Sequence, residues 1–355
     1  MKKKPKNKKM KILYACSLTS ERHHFDGERR KSTTIYELLK DKYKVTIVNF
    51  TKNKYLQMMK FIFCLIFVKY DFVFMAKAPS GGNIMLRAMR LLKYPRNKIA
   101  FYTYGRGFQG DFEKKVKYEN INYAGTIVCE AESIKKEFIN RGITTKIMVF
   151  PVVKHYFNID VPSFEKKETL HGIFISRIVV EKGVLDLLKA LEIVNNEKIK
   201  FTATFSGGWA DKESIGALEL AVKEKKYIKY LGETFSINNK EDYKFLASFD
   251  LHFFPTKFFH DCIPGSVVDS YIAGLPTISS EYACCREIMN DQVAFFYKFM
   301  SIDDLVIKLN YVYEHQEELY NKRINAKREA ALYSDEYFIT FFEQLLKINI
   351  FSTED

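Results

Sequence analysis

Arg177 and Lys182 stand five positions apart in SRIVVEKG, residues 176–183, which leaves an apolar run and precedes an amphipathic stretch opening near Val184. A guanidinium and an ammonium beside a glycine-led helix N-terminus make an anion site, because free backbone N–H groups and the helix dipole add to the fixed charges. A diphosphate fits such a site, although two loop cations are also what a solvated surface carries.

A second constellation is FFPTKFFHDCIPGSVVDSYIAGLPTISS, where Asp261 and Asp269 lie eight positions apart. Pro264-Gly265 is expected to open a short helix that stops at Gly274-Leu275-Pro276. Carboxylates placed there accept hydrogen bonds from ribose and sugar hydroxyls, while the opening N–H groups of Gly265 and Ser266 face the same ligand. Asp269 could equally do no more than complement the helix dipole.

These loops need elements to hold them. In the first half, short apolar runs, Ile12–Cys16, Val45–Phe50, Phe72–Met75, Ile99–Tyr104, Thr126–Cys129 and Ile147–Phe150, alternate with segments of helical spacing. The second half repeats the grammar with Ile173–Ser176, Phe201–Phe205, Ile228–Leu231, Asp250–Phe254 and Thr277–Ser279. Strands without in/out alternation, separated by helices, indicate a parallel sheet covered on both faces. The expectation is two doubly wound Rossmann-like α/β domains facing a central cleft: residues 1–152, a linker at 153–170, a second domain at 171–335 and a C-terminal segment at 336–355 that packs back on the first.

A literal GxGxxG, Gly105–Gly110, follows the run Ile99–Tyr104, with Glu130 about 20 residues onward as a nicotinamide dinucleotide site requires. The following segment DFEKKVKYENINY is a poor close-packing helix, and the motif falls late in its domain rather than in its first βα unit. A cleft-facing glycine loop, where small residues leave room for a ligand, is the preferred reading over an NAD-dependent oxidoreductase.

Charge is unevenly placed. Residues 1–150 hold 32 Lys+Arg against 12 Asp+Glu, net +20, whereas residues 151–355 hold 24 against 31, net −7. The positive half points to an anionic surface or substrate. No nucleic-acid recognition signature accompanies it, so a basic nucleic-acid-binding protein is the weaker alternative. KNKYLQMMKFIFCLIFVKY, from Lys52, combines lysines with a broad apolar face and could lie in a headgroup region; a core helix flanked by solvated lysines fits the pattern too. Its longest apolar run, Phe61–Val68, is far short of the roughly 20 residues that span a bilayer. The basic start runs into a short apolar stretch that reads as a first strand rather than a cleaved signal. Six cysteines form no CxxC pair or metal spacing with histidine, which fits a reducing cytoplasm. The adjacent His23 and His24 cannot both face one ligand from a regular element, so no metal is expected.

Together SRIVVEKG and the Asp261/Asp269 segment resemble retaining glycosyltransferases of the GT-B fold, family 4 (glycosyl transferases group 1), whose hallmarks are an Arg and a Lys-Gly loop followed by Glu-x7-Glu. CEAESIKKEFINRGITTKIMVFP at Cys129–Pro151, FSGG with Gly207 and Gly208, and YLGET at Tyr230–Thr234 stand in the order that family presents. The resemblance implies that Arg177 and Lys182 hold the diphosphate of a nucleotide-sugar donor and stabilise its leaving charge. It implies Asp269 at the ribose hydroxyls and Asp261 at the donor sugar, both one methylene shorter than the family's glutamates. HHFDGERRKSTTIYELLK resembles the family's first glycine-containing loop, placing the Gly27 N–H near the diphosphate, with Asp26, Arg29 and Arg30 toward the acceptor. It further implies retention by front-face departure and attack with no dedicated side-chain base, and no metal or other cofactor beyond the donor. A saccharide or lipid-linked saccharide acceptor, and a cytoplasmic, peripheral place at the inner face of the plasma membrane in cell-surface glycan assembly (capsule, lipopolysaccharide), follow by family analogy.

Overall fold

The apolar runs become parallel strands because their side chains are buried on both faces of a sheet. The computed structural model describes residues 9–19, 27–105, 116–232, 237, 239–259 and 261–351. The chain divides into two compact units, Met1–Val153 with Asp335–Asp355, and Lys154–Ser334.

In the first unit the strands are β1 (Lys11–Cys16), β2 (Lys44–Asn49), β3 (Phe72–Lys77), β4 (Ile99–Thr103), β5 (Thr126–Cys129) and β6 (Lys146–Val149). They lie in the order β2-β1-β3-β4-β5-β6, every pairing parallel. The crossovers carry α1 (Gly27–Lys42), α2 (Lys54–Phe67), α3 (Pro79–Leu91), α4 (Tyr118–Ile121) and α5 (Glu132–Asn140). Gly82 lets α3 press on the sheet, since a Cβ there would stand 2.2 Å from the Phe101 ring.

The second unit holds β7 (Leu170–Ile175), β8 (Phe201–Ser206), β9 (Ile228–Tyr230), β10 (Leu251–Phe254), β11 (Thr277–Ser280) and β12 (Ala294–Tyr297), in the order β12-β11-β10-β7-β8-β9 and again all parallel. Its helices are α6 (Val184–Val194), α7 (Lys212–Glu224), α8 (Lys240–Ala247), α9 (Gly265–Ile272), α10 (Cys285–Ile288), α11 (Ile302–Glu314) and α12 (Gln316–Glu329). Strand β12 has no counterpart in the sequence reading. Four apolar residues, three of them aromatic, carry no period that separates a strand from a helix segment. The sheet edge beside β11 and the packing of Phe295 and Tyr297 into the core decide it.

The chain then returns to the first unit as α13 (Asp335–Leu346), followed by a π-helical turn to Phe351. Phe338, Phe342, Leu345 and Leu346 are buried there, with Phe342 edge-on to Phe74 at 5.2 Å and Phe338 edge-on to Phe150 at 5.4 Å.

Each sheet has one switch point, where successive crossovers leave in opposite directions. In the first unit it lies between β1 and β3, in the second between β7 and β10. Ligands of doubly wound sheets bind outside the carboxyl ends of the strands at that point.

Candidate active site

The second unit's switch point gathers both constellations singled out above. Strand β7 ends at Ile175 and releases the Arg177 loop into α6; β10, its neighbour, ends at Phe254 and releases the Asp261 loop into α9. The loops are laced together by Lys257 N–H donating to the Glu181 carbonyl at 2.8 Å and by Lys257 Nζ to Asp186 at 3.1 Å. Gly183 closes the first loop with φ +76°, and a Cβ there would stand 1.8 Å from the Pro255 carbonyl oxygen. Only glycine tolerates both the left-handed backbone and that approach.

Gly207 and Gly208 form the third wall. A Cβ on Gly207 (φ +146°) would lie 1.9 Å from the Ser176 carbonyl oxygen. Ile178 N–H donates to the Gly208 carbonyl at 2.8 Å, and Ala210 N–H to the Ile178 carbonyl at 3.0 Å. Asp211 caps α7 through Ser214 N–H at 2.7 Å and also accepts Val180 N–H at 2.9 Å. Desolvation alone would raise its pKa, but the N–H groups of Ser214 and Val180 hold the carboxyl below its usual value.

Within this frame Lys182 and Asp261, 79 residues apart in sequence, are in contact as an ion pair. Asp261 Oδ2 also accepts the Thr256 hydroxyl at 3.0 Å, while its Oδ1 takes no hydrogen bond among the described residues. The Lys182 ammonium lies 5.8 Å from the Phe254 ring centroid and 5.9 Å from that of Phe258. Arg177 is exposed, and among the described residues its guanidinium has neither a hydrogen-bond nor an ion-pair partner. With Lys182 balanced by Asp261, Arg177 is, among the described residues, the cation of its loop without a counter-charge.

Helix α9 begins at Gly265 with Pro264 before it and no side-chain cap, so the first N–H groups, those of Gly265 and Ser266, open the helix uncovered. It ends in a Schellman motif: Gly274 (φ +68°) donates to the Tyr271 carbonyl at 2.9 Å and Leu275 to that of Ser270 at 2.7 Å. Asp269, expected at the ribose hydroxyls, is buried and engaged on both oxygens. Its side chain is 3% exposed, Lys154 Nζ bonds Oδ2 at 2.8 Å, and the Tyr243 hydroxyl bonds Oδ1 at 2.7 Å.

Gly27 opens α1 after β1, at the first unit's switch point, exposed and with nothing within 4 Å of where a Cβ would stand. Nearby, Lys77 at the end of β3 donates to Ser17 Oγ at 2.5 Å and lies 3.8 Å from Glu28. Burial lowers the Lys77 pKa. Glu130, which a dinucleotide reading assigns to a ribose, is buried, paired with Lys31 and accepting Gly105 N–H at 3.2 Å. Asp26, His23, His24, Arg106–Gly110 and the Glu233 and Thr234 of YLGET lie outside the described residues. Among the described residues no group of three or more His, Cys, Asp or Glu side chains could hold a metal ion.

Lys154 and Trp209 escaped the sequence reading. Lys154 sits in a polar linker where nothing marks it, and Trp209, half exposed beside Gly208, is a lone aromatic. The pairing of Ile178 with Trp209 as an isolated parallel bridge is what brings the tryptophan to the Arg177 loop.

Comparison with known proteins agrees with this architecture. Anabaena HepE in complex with UDP superposes with a TM-score of 0.70 at 13% identity, covering 95% of this chain and 100% of that one. Sucrose-phosphate synthase from Thermosynechococcus elongatus gives 0.69 at 9% identity, covering 96% and 98%, and the lipopolysaccharide outer core galactosyltransferase WaaB gives 0.66 at 16%, covering 94% and 100%. At such identities the likeness is one of fold, the GT-B fold. No curated protein sequence matches the chain significantly. Residues 158–330, all but four residues at each end of the second unit, match the family described as Glycosyl transferases group 1. That stretch of the chain belongs to the glycosyl transferases group 1 family, and the protein is a glycosyltransferase of the GT-B fold.

Proposed function

We propose that the protein is a retaining transferase that moves a sugar from a UDP- or GDP-linked donor to a growing, lipid-linked saccharide in cell-surface glycan assembly. The observation that carries the donor half is the convergence at the β7/β10 switch point: Arg177 with no counter-charge among the described residues, the uncapped N–H groups of Gly265 and Ser266, and the open Oδ1 of Asp261. The cation and the helix terminus suit a diphosphate, and a carboxylate oxygen suits a sugar hydroxyl. The UDP in the Anabaena structure makes uridine the first donor base to try.

In this reading the bond from the anomeric carbon to the diphosphate breaks on the face where the bond to the acceptor oxygen forms, and the acceptor proton passes to the leaving phosphate. Arg177, Lys182 and the α9 N–H groups stabilise the leaving charge, so no divalent ion has a role. Asp261 orients the sugar, with Lys182 and Thr256 fixing its carboxylate.

The lipid half rests on α2. Its buried side carries Phe61, Cys64 and Leu65, yet Tyr55, Leu56, Met59, Phe63, Ile66 and Phe67 form a second, exposed apolar face, Tyr55 at 86% and Phe67 at 70% exposure. A core helix would not leave that face in water, whereas a monotopic helix needs it together with the net charge of +20 in residues 1–150. No helix among the described residues is long and apolar enough to cross a membrane. The reading therefore places the protein peripherally, at the inner face of the plasma membrane.

The test is transfer itself. The protein is incubated with UDP-glucose, UDP-galactose, UDP-N-acetylglucosamine or GDP-mannose and a lipid-linked saccharide extract, and products are read by mass spectrometry and anomeric NMR. Transfer with retained configuration is expected. Inverted product, or transfer only from a donor without a nucleoside diphosphate, refutes the reading.

A further inference from the structure

We propose that the carboxyl edge of the first unit's sheet holds a phosphate group of the lipid-linked acceptor, bound by the Lys77 ammonium, the Thr103 hydroxyl and the opening N–H groups of α3; the inference rests on the acceptor reading above. Thr103 ends β4 fully buried, and among the described residues its hydroxyl has no hydrogen-bond partner. A buried hydroxyl left unbonded is unfavourable, so it marks a partner that the chain itself does not supply.

The strand and the helix fix where that hydroxyl stands. Phe101, two residues earlier and therefore on the same face, lies under Gly82, where a Cβ would meet its ring at 2.2 Å. Thr103 is about 6.6 Å further along the strand, the rise of about four helical residues. Counted back from Gly82, that is the level of Ala78, the cap of α3. No side chain caps this helix and Pro79 has no N–H, so Ser80 and Gly81 hold its open donors; the Gly82 N–H already serves the Ala78 carbonyl at 3.0 Å.

Lys77 ends β3 directly opposite Thr103 and shares its face. Its Cε lies 3.4 Å from where a Cβ on Gly81 would stand, so the stem runs over the opening turn of α3. Among the described residues the ammonium makes one hydrogen bond of the three it can donate, to Ser17 Oγ at 2.5 Å; Glu28, at 3.8 Å, is outside hydrogen-bond reach. Burial lowers the Lys77 pKa; Glu28 and Cys16 oppose that shift, while the charges of Lys54 and Arg29 reinforce it. An oxyanion against Lys77 would accept its remaining donors and answer this positive field.

The surroundings favour a phosphate carried by a lipid. Lys54, whose charge Lys77 feels, is the first residue of α2, and the outward apolar face of that helix starts beside it with Tyr55, Leu56 and Met59. Cationic groups and exposed apolar surface thus begin at one edge of the sheet, as a phosphate on an apolar chain requires. The donor diphosphate has its own cation, Arg177, in the second unit.

Calorimetric titration of the full chain with farnesyl diphosphate, farnesol, inorganic pyrophosphate and UDP tests this, for the wild type, Lys77→Met, Lys77→Arg and Thr103→Val. The wild type should bind farnesyl diphosphate more tightly than pyrophosphate, and farnesol least. Lys77→Met should weaken both diphosphates by roughly 10- to 100-fold, the size of a charge-assisted contact, with UDP affinity unchanged. Lys77→Arg should recover part of the loss. Thr103→Val should weaken both by roughly 3- to 10-fold. Because that hydroxyl bonds nothing in the free chain, the valine variant should melt no lower than the wild type, which keeps the test decisive where Lys77→Met does not fold. Wild-type diphosphate affinity in either folded variant overturns the proposal, as does farnesol bound as tightly as farnesyl diphosphate. Pyrophosphate bound as tightly as farnesyl diphosphate refutes the lipid source, and an equal loss of UDP affinity assigns the anion to the donor and refutes it too. Farnesyl diphosphate bound through Lys77 by a protein that transfers to no lipid-linked saccharide sinks the function proposed above and leaves this phosphate site standing.

Discussion

Replacing Gly183 by alanine tests whether the Arg177 loop is pinned to the Asp261 loop as described. The backbone at Gly183 is left-handed, φ +76°, which costs an L-residue about 1–2 kcal/mol. Its new Cβ would also stand 1.8 Å from the Pro255 carbonyl oxygen. Comfortable heavy-atom contact is about 3.5 Å, so roughly 1.7 Å of displacement must be shared between the loops, and overpacking of that kind costs about 1–3 kcal/mol. The sum, about 2–5 kcal/mol, should lower the melting temperature of the second unit by roughly 5–15 °C. The single tryptophan, Trp209, lies in that unit, so its fluorescence in urea reports this unfolding; the midpoint should fall with the slope unchanged. The same displacement carries Lys182 away from Asp261, and transfer should fall with stability. Gly27→Ala is the control: nothing lies within 4 Å of its Cβ, so stability should hold or rise by about 0.4–1 kcal/mol. A Gly183→Ala protein as stable as the wild type would refute the claim that the loops are in forced contact.

Three further outcomes follow from individual residues. Lys182→Met should lower kcat/KM by about 100-fold or more, as loss of one charge-stabilising donor does, and Asp261→Asn should lower it while leaving UDP affinity near the wild type; the reverse pattern in UDP titrations contradicts the roles assigned. His252 is fully buried on β10 and burial pushes its pKa down to about 3, so the unfolded chain binds its proton first as pH falls below about 6.5. Stability should therefore drop by about 2 kcal/mol from this group by pH 5, and His252→Leu should flatten that limb of the urea midpoint against pH; an unchanged slope would show the histidine is not the cause. On α2, Phe63→Ser with Phe67→Ser should cut binding to anionic phospholipid vesicles more than about 10-fold, each lost ring being worth about 1.5–3 kcal/mol, with little change in stability. Vesicle binding equal to the wild type would remove α2 from the lipid-facing surface.

Much of this was legible in the residues. Unalternating apolar runs such as Ile12–Cys16 and Thr126–Cys129 define buried parallel strands, and Pro264 and Gly274 bracket α9 as their backbone chemistry requires. Arg177, Lys182 and Asp261 stand out because such types in a strand-to-helix loop suit an anion or a hydroxyl, and the structure brings the last two into contact. What could not be read is what depends on through-space partners. The sequence separation of 115 between Lys154 and Asp269 hides their ion pair. Strand β12 needs its neighbour β11 to exist, and the outward face of α2 becomes distinct from its core face only when Phe61 and Leu65 are buried.

The most direct measurement is the affinity of UDP and GDP for the wild type and for Arg177→Ala, by calorimetry and by the fluorescence of Trp209, which lies beside the Arg177 loop. The account predicts that one nucleoside diphosphate binds the wild type and perturbs Trp209, and that Arg177→Ala, folded as the wild type, loses roughly 10-fold or more of that affinity. Undiminished binding by Arg177→Ala, or no binding of either diphosphate by the wild type, would contradict the donor site at the β7/β10 switch point.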